Sequence, residues 1–345
     1  MVSGLPRNFN KTSFYQPVCD INSNAGGVRN EALNVRLQGR CGIFDLGNMS
    51  LINVKGNGTY KSLNKLFTNN IYNCGNNSII DTLMLNEKGK VIDKPVLSNF
   101  NGELSILCRN SSVPIIKTVL DENKKISMEN KSVSNDIFAI QGSWSRAAMN
   151  KLYYFLNLNF KNIVNDRQCC VKESDVTVLK KSITGADGYI VSIPKHKTDT
   201  LLDKLLHQPN IYLSGIDALL VNQMESRMLT ENEMNGEYTP DELNQLQLVN
   251  ISVIGEDFIG KECILDINNR VKSSNKKIQS ITFENYNFTK SPKVIKGTNR
   301  EEIGKLRNVV YSPYLQQFKG VCEMTSPDAK IGILDNKQVE LMNIF

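Results

Sequence analysis

Histidine is nearly missing from this chain of 345 residues: only His196 and His207 are present, and the eight cysteines (Cys19, Cys41, Cys74, Cys108, Cys169, Cys170, Cys263 and Cys322) include no C-x-x-C pair. Zinc sites need clustered cysteine and histidine, so this scatter argues against one. It argues equally against a disulfide scaffold in so long a chain, and favours reduced thiols and a cytosolic or organelle-matrix setting. No apolar run approaches the roughly 20 residues that cross a bilayer, so no membrane insertion is expected. A dominant charge is lacking too. Forty-one basic residues face 35 acidic ones spread along the chain, for a net +6. Nucleic acid is therefore not implied as a partner, and the small excess leaves only a preference for polyanionic small molecules or acidic proteins. Sequons at Asn57, Asn76, Asn250 and Asn287 are what an asparagine-rich composition produces by chance.

With 40% hydrophobic and 22% charged residues, the chain can bury a large core and should divide into two or three domains. Glu31 to Gln38 reads as a short helix, followed by a Gly-Ile-Phe-Asp turn (Gly42 to Asp45) into an alternating strand from Ser50 to Val54. Tyr60 to Phe67 places Leu63, Leu66 and Phe67 on one helical face. An antiparallel meander follows: strands Ile79 to Leu85, Val91 to Leu97 and Leu104 to Leu107, with turns at Asn86 to Gly89 and Asn99 to Gly102. Helices are expected at Ile115 to Leu120, Ala147 to Phe155, Thr198 to Leu206, Gly215 to Met228 and Asp241 to Leu246. Strands are expected at Ile137 to Ile140, Val176 to Ile183 and Tyr189 to Ile193. From Ile278 onward short strands and turns suggest a small β-barrel or sandwich. No repeat or low-complexity tract interrupts this α+β pattern.

The string Glu31, Val35-Arg36 and Gly42-Ile43-Phe44-Asp45-Leu46-Gly47-Asn48-Met49 resembles the opening of the glycine-cleavage aminomethyltransferase (T-protein) family. Further blocks follow in family order: Met84 to Asp93, Asn110-Ser111, Ala139 to Gly142, Thr184 to Tyr189, Gly215 to Glu225, Tyr238 to Pro240, Asp257 to Lys261, and Glu302 to Gly304 with Tyr311 to Pro313. Each is weak alone; their colinearity across nearly the whole chain carries the resemblance. It implies a three-domain arrangement around a central cavity, with residues 1–270 forming two interleaved folate-binding-like subdomains and 271–345 a C-terminal β-barrel. It also implies tetrahydrofolate as cofactor, a lipoylated carrier protein as partner, and transfer of an aminomethyl carbon to give methylene-tetrahydrofolate and ammonia. The iron-sulfur branch of the superfamily carries a K-G-C-Y-x-G-Q-E signature, which Gly260-Lys261-Glu262-Cys263 matches poorly.

The resemblance places Glu225 where a glutamate grips the pterin by accepting two parallel N–H bonds. The competing reading is a solvated helix-face glutamate. It places Asn110 where an amide faces the ring, against the plainer reading of a turn asparagine. Lys261, in the Phe-Ile-Gly-Lys turn, would meet a folate tail or simply be exposed. Asp93-Lys94 stands where the family has two aspartates, the second catalytic, so lysine here reverses a charge that orients folate nitrogens and stabilises developing positive charge. Asp93 would replace it only through a strand-register shift. Gln223, Ile183, Ala186, Leu219 and Leu220 are further departures from the family's polar residues. Two functions follow: a T-protein-like transferase using Glu225, Asn110 and Asp93, or a catalytically silent paralogue serving as a binding or structural subunit of a larger assembly. Arg7 and Lys11 in an acid-free first nineteen residues are compatible with a transit-peptide remnant and a mitochondrial matrix location, with cytoplasm as the alternative.

Overall fold

Residues 27–158, 169–250, 258–266, 270–284, 293–326, 328–335 and 337–344 are described in the computed structural model. The N-terminal segment with Arg7, Lys11 and Cys19, Asp257, and the sequon at Asn287 lie outside them. Two large sheets, a two-stranded sheet of Met84–Leu85 and Val91–Asp93, and a closed barrel are the β-structure of the described residues. One sheet has six strands in the order Cys170–Glu173, Val176–Lys180, Gly188–Pro194, Asn135–Gln141, Cys41–Asp45 and Ile211–Ser214; only the last pair is parallel. The other has five antiparallel strands in the order Ile79–Asp81, Val96–Phe100, Glu103–Arg109, Met49–Gly56 and Ile126–Asn130. Because Cys41–Asp45 and Met49–Gly56 are consecutive yet enter different sheets, the two layers are threaded through each other. The fold is mixed α+β, as expected.

The Gly42 to Asp45 segment is a central strand, where the sequence suggested a turn. Its run Cys41, Ile43 and Phe44 is almost wholly buried, and a strand covered on both faces loses the alternation that marks a half-exposed one. Gly42 is there for space: a Cβ would crowd Ser214 Oγ and Val35. Asp241 to Leu246, expected to be helical, is instead a series of turns leading into a single 3-10 turn at Leu246–Leu248. Asn244 adopts φ 55°, and Glu242 turns back to accept from Thr239 N–H at 2.7 Å, so local side-chain bonds displace the helical ladder. The helix expected from Gly215 to Met228 spans Ile216–Glu225 and stops before Arg227, whose φ of 57° is left-handed. The strand expected from Val91 to Leu97 breaks at Lys94-Pro95, consistent with proline's missing ladder donor.

The barrel closes through Lys277–Phe283, Gln317–Met324, Glu302–Ser312, Val294–Lys296, Ile331–Leu334 and Lys337–Asn343. Phe318, Cys322 and Met324 belong to its own core, whereas Val310 and Val321, of opposite strand parity, join the core of the preceding sheets. The outer face of two barrel strands is thus a joint with the body, fixed by polar contacts. Ser312 Oγ donates to Glu225 Oε1 at 2.7 Å, Asn308 Nδ2 to Glu233 Oε1 at 3.3 Å and Tyr238 Oη to Glu323 Oε2 at 2.9 Å.

Glu323 also meets Lys276 at 3.1 Å and Arg307 at 2.5 Å. Burial pushes its carboxyl up, but the bonds from Arg307, Lys276 and Tyr238 outweigh this and hold it below the usual range. Its stabilisation is therefore fully present above the unfolded-state value near 4.3 and lost as pH falls through the lower folded-state value. Glu323→Gln should cost on the order of 1 kcal/mol at pH 7, a gap that closes under acid conditions. Denaturant unfolding of both proteins across pH 2–7 checks this; a gap independent of pH contradicts it.

Candidate functional site

The junction of the two sheets and the barrel is built around the C-terminal end of the helix Ile216–Glu225. Glu225 is almost fully buried, and Arg36, at the end of the helix Val28–Arg36, donates from Nε to its Oε2 at 2.7 Å. Arg36 sits there because Ala32 and Val35 bury one face of its helix while Glu31 accepts from Gly215 N–H at 2.7 Å, fastening the start of the second helix. The other end of the guanidinium reaches Thr184 O at 2.9 Å, Asn222 O at 2.7 Å and Ser226 Oγ at 2.7 Å. Asn222 Nδ2 adds a contact to Glu225 Oε2 at 3.3 Å. A carboxylate offers about four lone-pair directions. Arg36, Asn222 and Ser312 occupy three of them.

The turn Thr184 to Gly188 closes beside this pair. Gly185 has φ 79°, and a Cβ there would collide with the Ser226 hydroxyl. Gly188 has no positive φ; it is needed because Gln141 lies against it. Gln141, fully buried, accepts from Ile183 N–H at 3.0 Å and Thr184 Oγ1 at 3.2 Å, and donates to Lys181 O at 3.0 Å.

Asn110 follows the strand Glu103–Arg109. Its Nδ2 donates to Gly47 O at 2.9 Å and its Oδ1 accepts from Ser50 Oγ at 2.6 Å, so both ends of the amide hold the Gly47 to Ser50 segment. Asp93 is buried with both oxygens engaged. Oδ1 accepts from Lys94 N–H at 2.8 Å, and Oδ2 from Arg109 N–H at 2.9 Å and Ser112 Oγ at 2.5 Å. Arg109 Nε stands 3.4 Å from Oδ1, an ionic contact rather than an aligned hydrogen bond. Asp93 thus fixes the backbone at both ends of the site.

Lys94 is half-buried, and its Nζ donates to the side-chain oxygen of the buried Gln245 at 2.9 Å. Burial pushes its ammonium below the usual range; Asp81 opposes this and Lys181 reinforces it. Asp81 is itself held by Lys181 Nζ, 2.6 Å from each carboxylate oxygen. Lys261 opens the short helix Lys261–Ile264 beside the Asn86 to Gly89 turn, which Gly260 approaches closely.

Residues 226–245 form a strap joining these parts. Glu231 bonds Asn48, Met234 O accepts from Arg109 at 2.6 Å, Gly236 and Tyr238 exchange backbone bonds with Val91, Glu242 pairs with Lys90 at 2.9 Å, and Gln245 holds Lys94. The strap starts directly after Glu225 and bonds Asn48 and Arg109, next to Asn110, and Lys94, next to Asp93, while Lys261 lies beside the Asn86 to Gly89 turn. Sequence reasoning passed over Arg36 as a site residue, and Ser112, Gln141, Ser312 and Gln245 as partners. Arg36 and Ser312 stood inside resemblance blocks; Ser112 and Gln245 carried no local signal.

Between the sheets, Leu51, Leu107, Ile137, Leu179 and Ile190 leave a void of only about 10 Å³, at the lower limit for one water. A recess of about 220 Å³ opens elsewhere, lined by Thr239, Asp241, Glu242, Cys263 and Lys272 among others. Among the described residues no cluster of three or more potential metal ligands occurs, and no helix is long and apolar enough to cross a membrane.

Threaded sheets and a six-stranded C-terminal barrel joined through a buried glutamate define a T-protein-type fold. The solved glycine cleavage system aminomethyltransferase T from Bartonella henselae matches it with a TM-score of 0.75 at 16% identity, over 92% of this chain and 88% of that one. Residues 4–252 match the GCVT N-terminal domain. The chain belongs to that family, as a divergent member. The aminomethyltransferase of Clostridium botulinum (strain 657 / Type Ba4) is 27% identical over 325 residues, covering 87% of this chain and 82% of the relative. That of Thermoanaerobacter pseudethanolicus is 24% identical over 309 residues, with the same coverages.

Removing one partner of a buried ion pair leaves the other charge uncompensated. Arg36→Met should therefore destabilise by roughly 3–5 kcal/mol. Arg36→Met combined with Glu225→Met should cost much less than the sum of the single changes. Denaturant melts of the three variants measure the coupling, and strict additivity would contradict it.

Proposed function

We propose that this protein is a T-protein-like one-carbon transferase scaffold that binds tetrahydrofolate at the Glu225 junction but is poorly equipped for aminomethyl transfer. The family match supports the ligand class. The observation that carries the reading of weakened chemistry is the Asp93-Lys94 pair: the buried carboxylate is consumed by Arg109, Ser112 and the Lys94 backbone, and the neighbouring side chain is a cation. Positive charge developing during transfer would meet an ammonium where a carboxylate is needed. Glu225 retains about one open lone-pair direction, so a two-bond grip on a pterin edge would require Ser312 or Asn222 to yield. Asn110 would turn its amide from Gly47 and Ser50 to face the ring.

The second reading, a catalytically silent paralogue held in a larger assembly, is favoured by the same engagement, since the polar groups of Glu225, Asp93 and Asn110 already hold parts of the fold together. A lipoylated carrier protein is the partner under the first reading and other subunits under the second. The described cysteines, all free, support a reducing compartment, for which we propose the mitochondrial matrix over the cytoplasm.

Tetrahydrofolate should raise the melting temperature in a concentration-dependent way, by about 2.7 kcal/mol of added stability at a hundredfold excess over Kd. No shift at millimolar ligand sinks folate binding. Methylene-tetrahydrofolate formation from an aminomethyl-lipoyl carrier should be weak or nil in the wild type and rise in Lys94→Asp if Lys94 is the obstacle. If no turnover appears in either protein although folate binds, the silent reading stands.

A further inference from the structure

Lys94 is an amine whose hydrogen-bonding capacity the described residues leave partly open. An ammonium has three donors, and Lys94 Nζ finds one acceptor among the described residues, the neutral amide oxygen of Gln245. No described carboxylate lies within 4.0 Å of it, although Asp81 is close enough to influence it. Asp81 is fully engaged, because Lys181 grips both of its oxygens at 2.6 Å. Lys94, Lys181 and Asp81 together carry a net charge of +1 in half-buried surroundings, with Lys94 still reachable from solvent. A half-buried cation with a neutral partner is costly unless a counter-charge arrives.

We propose that Lys94, positioned by Gln245 and kept free of Asp81 by Lys181, is the seat for the carboxylate group of a small ligand. One negative charge neutralises the trio, whereas a phosphate dianion would overcompensate it. A carboxylate also supplies the acceptors that the two remaining Nζ donors need. The depressed ammonium pKa agrees with a site whose counter-ion is external, since burial without a partner lowers a lysine pKa and an arriving anion restores it. The seat does not depend on folate: it goes beyond the transferase reading and requires only the Lys94, Lys181, Asp81 and Gln245 arrangement.

Sodium acetate, titrated against sodium chloride at matched ionic strength, is the probe, with the thermal midpoint as readout. Wild type should show a saturable upward shift with half-saturation on the order of 1–10 mM, in keeping with a ligand of four heavy atoms. Lys94→Met keeps the aliphatic stem, removes a poorly compensated cation and should fold at least as stably in chloride, but lose the acetate shift. Lys197→Met, on the exposed face of the helix Lys195–Leu206, should keep it. General salting effects cancel in the difference between wild type and Lys94→Met. Lys181→Met provides an independent arm, because it frees Asp81 to pair with Lys94 and should expel acetate, a result that a purely structural lysine would not produce. Inorganic phosphate at the same ionic strength should shift wild type less than acetate does. An acetate shift equal in wild type and Lys94→Met, one that persists in Lys181→Met, no saturable shift in wild type, or a larger Lys94-dependent shift with phosphate each overturns the assignment. Absence of a tetrahydrofolate shift alongside a Lys94-dependent acetate shift overturns only folate binding, so the two ideas fail separately.

Discussion

The contact between Arg36 and Glu225 is the constraint on which the rest of the molecule depends. A buried carboxylate is tolerated only when its charge is matched and its oxygens are bonded. Here the match comes from a helix 189 positions away in sequence, and one further bond comes from a barrel strand through Ser312. Arg36 simultaneously holds the Thr184 carbonyl, so the turn ahead of the strand Gly188–Pro194 is tied to the same group. One carboxylate and one guanidinium thereby fix the relative placement of both helices, the six-stranded sheet and the barrel.

The strap from 226 to 245 extends that constraint outward. It has little regular structure; its turns bond within themselves, and further bonds tie it to Val91 and Arg109 through its backbone and to Lys90 and Lys94 through its side chains. Three of its acidic residues go to different elements. Glu231 reaches Asn48, Glu233 caps Thr230 and reaches Asn308, and Glu242 holds Lys90 and Ser274. Burial drives the Glu233 carboxyl upward in spite of the bonds from Thr230 and Asn308, as expected of an acid placed there to join segments rather than to carry charge to solvent.

Much of this was legible in the sequence where the local pattern and the tertiary environment agree. The helix around Ala32 and Val35, the strand from Met49, the turn at Asn86 to Gly89 and the barrel strands beyond Ile278 carry their own periodicity or turn chemistry, and the colinear blocks indicated the fold. Legibility failed where burial on two faces erased alternation, as at Cys41 to Asp45, and where side chains outcompeted the backbone, as at Asp241 to Leu246. Sequence reasoning nominated Glu225, Asn110, Asp93 and Lys94 by resemblance, yet could not show that Arg36, Gly47, Ser112 and Gln245 occupy their polar atoms, since those partners lie up to 189 residues away. Gln245 in particular looked like one polar residue among many in a segment that promised a helix.

The same saturation bears on how such a site changes. A pocket whose polar groups serve only a ligand can lose them with little effect on the fold. Here Asp93 anchors Arg109 and Ser112 whether or not a ligand is present, and Glu225 joins three parts of the chain. Structural duties account for both, so their presence is weak evidence for chemistry. Lys94 is different. Its amine makes one bond to a neutral amide, and its half-buried charge is a burden that folding by itself would discard, because methionine of similar length would fill the space without the desolvation cost. Of these residues Lys94 is therefore the one whose side chain the fold least explains, and the proposed external carboxylate would supply the missing counter-charge.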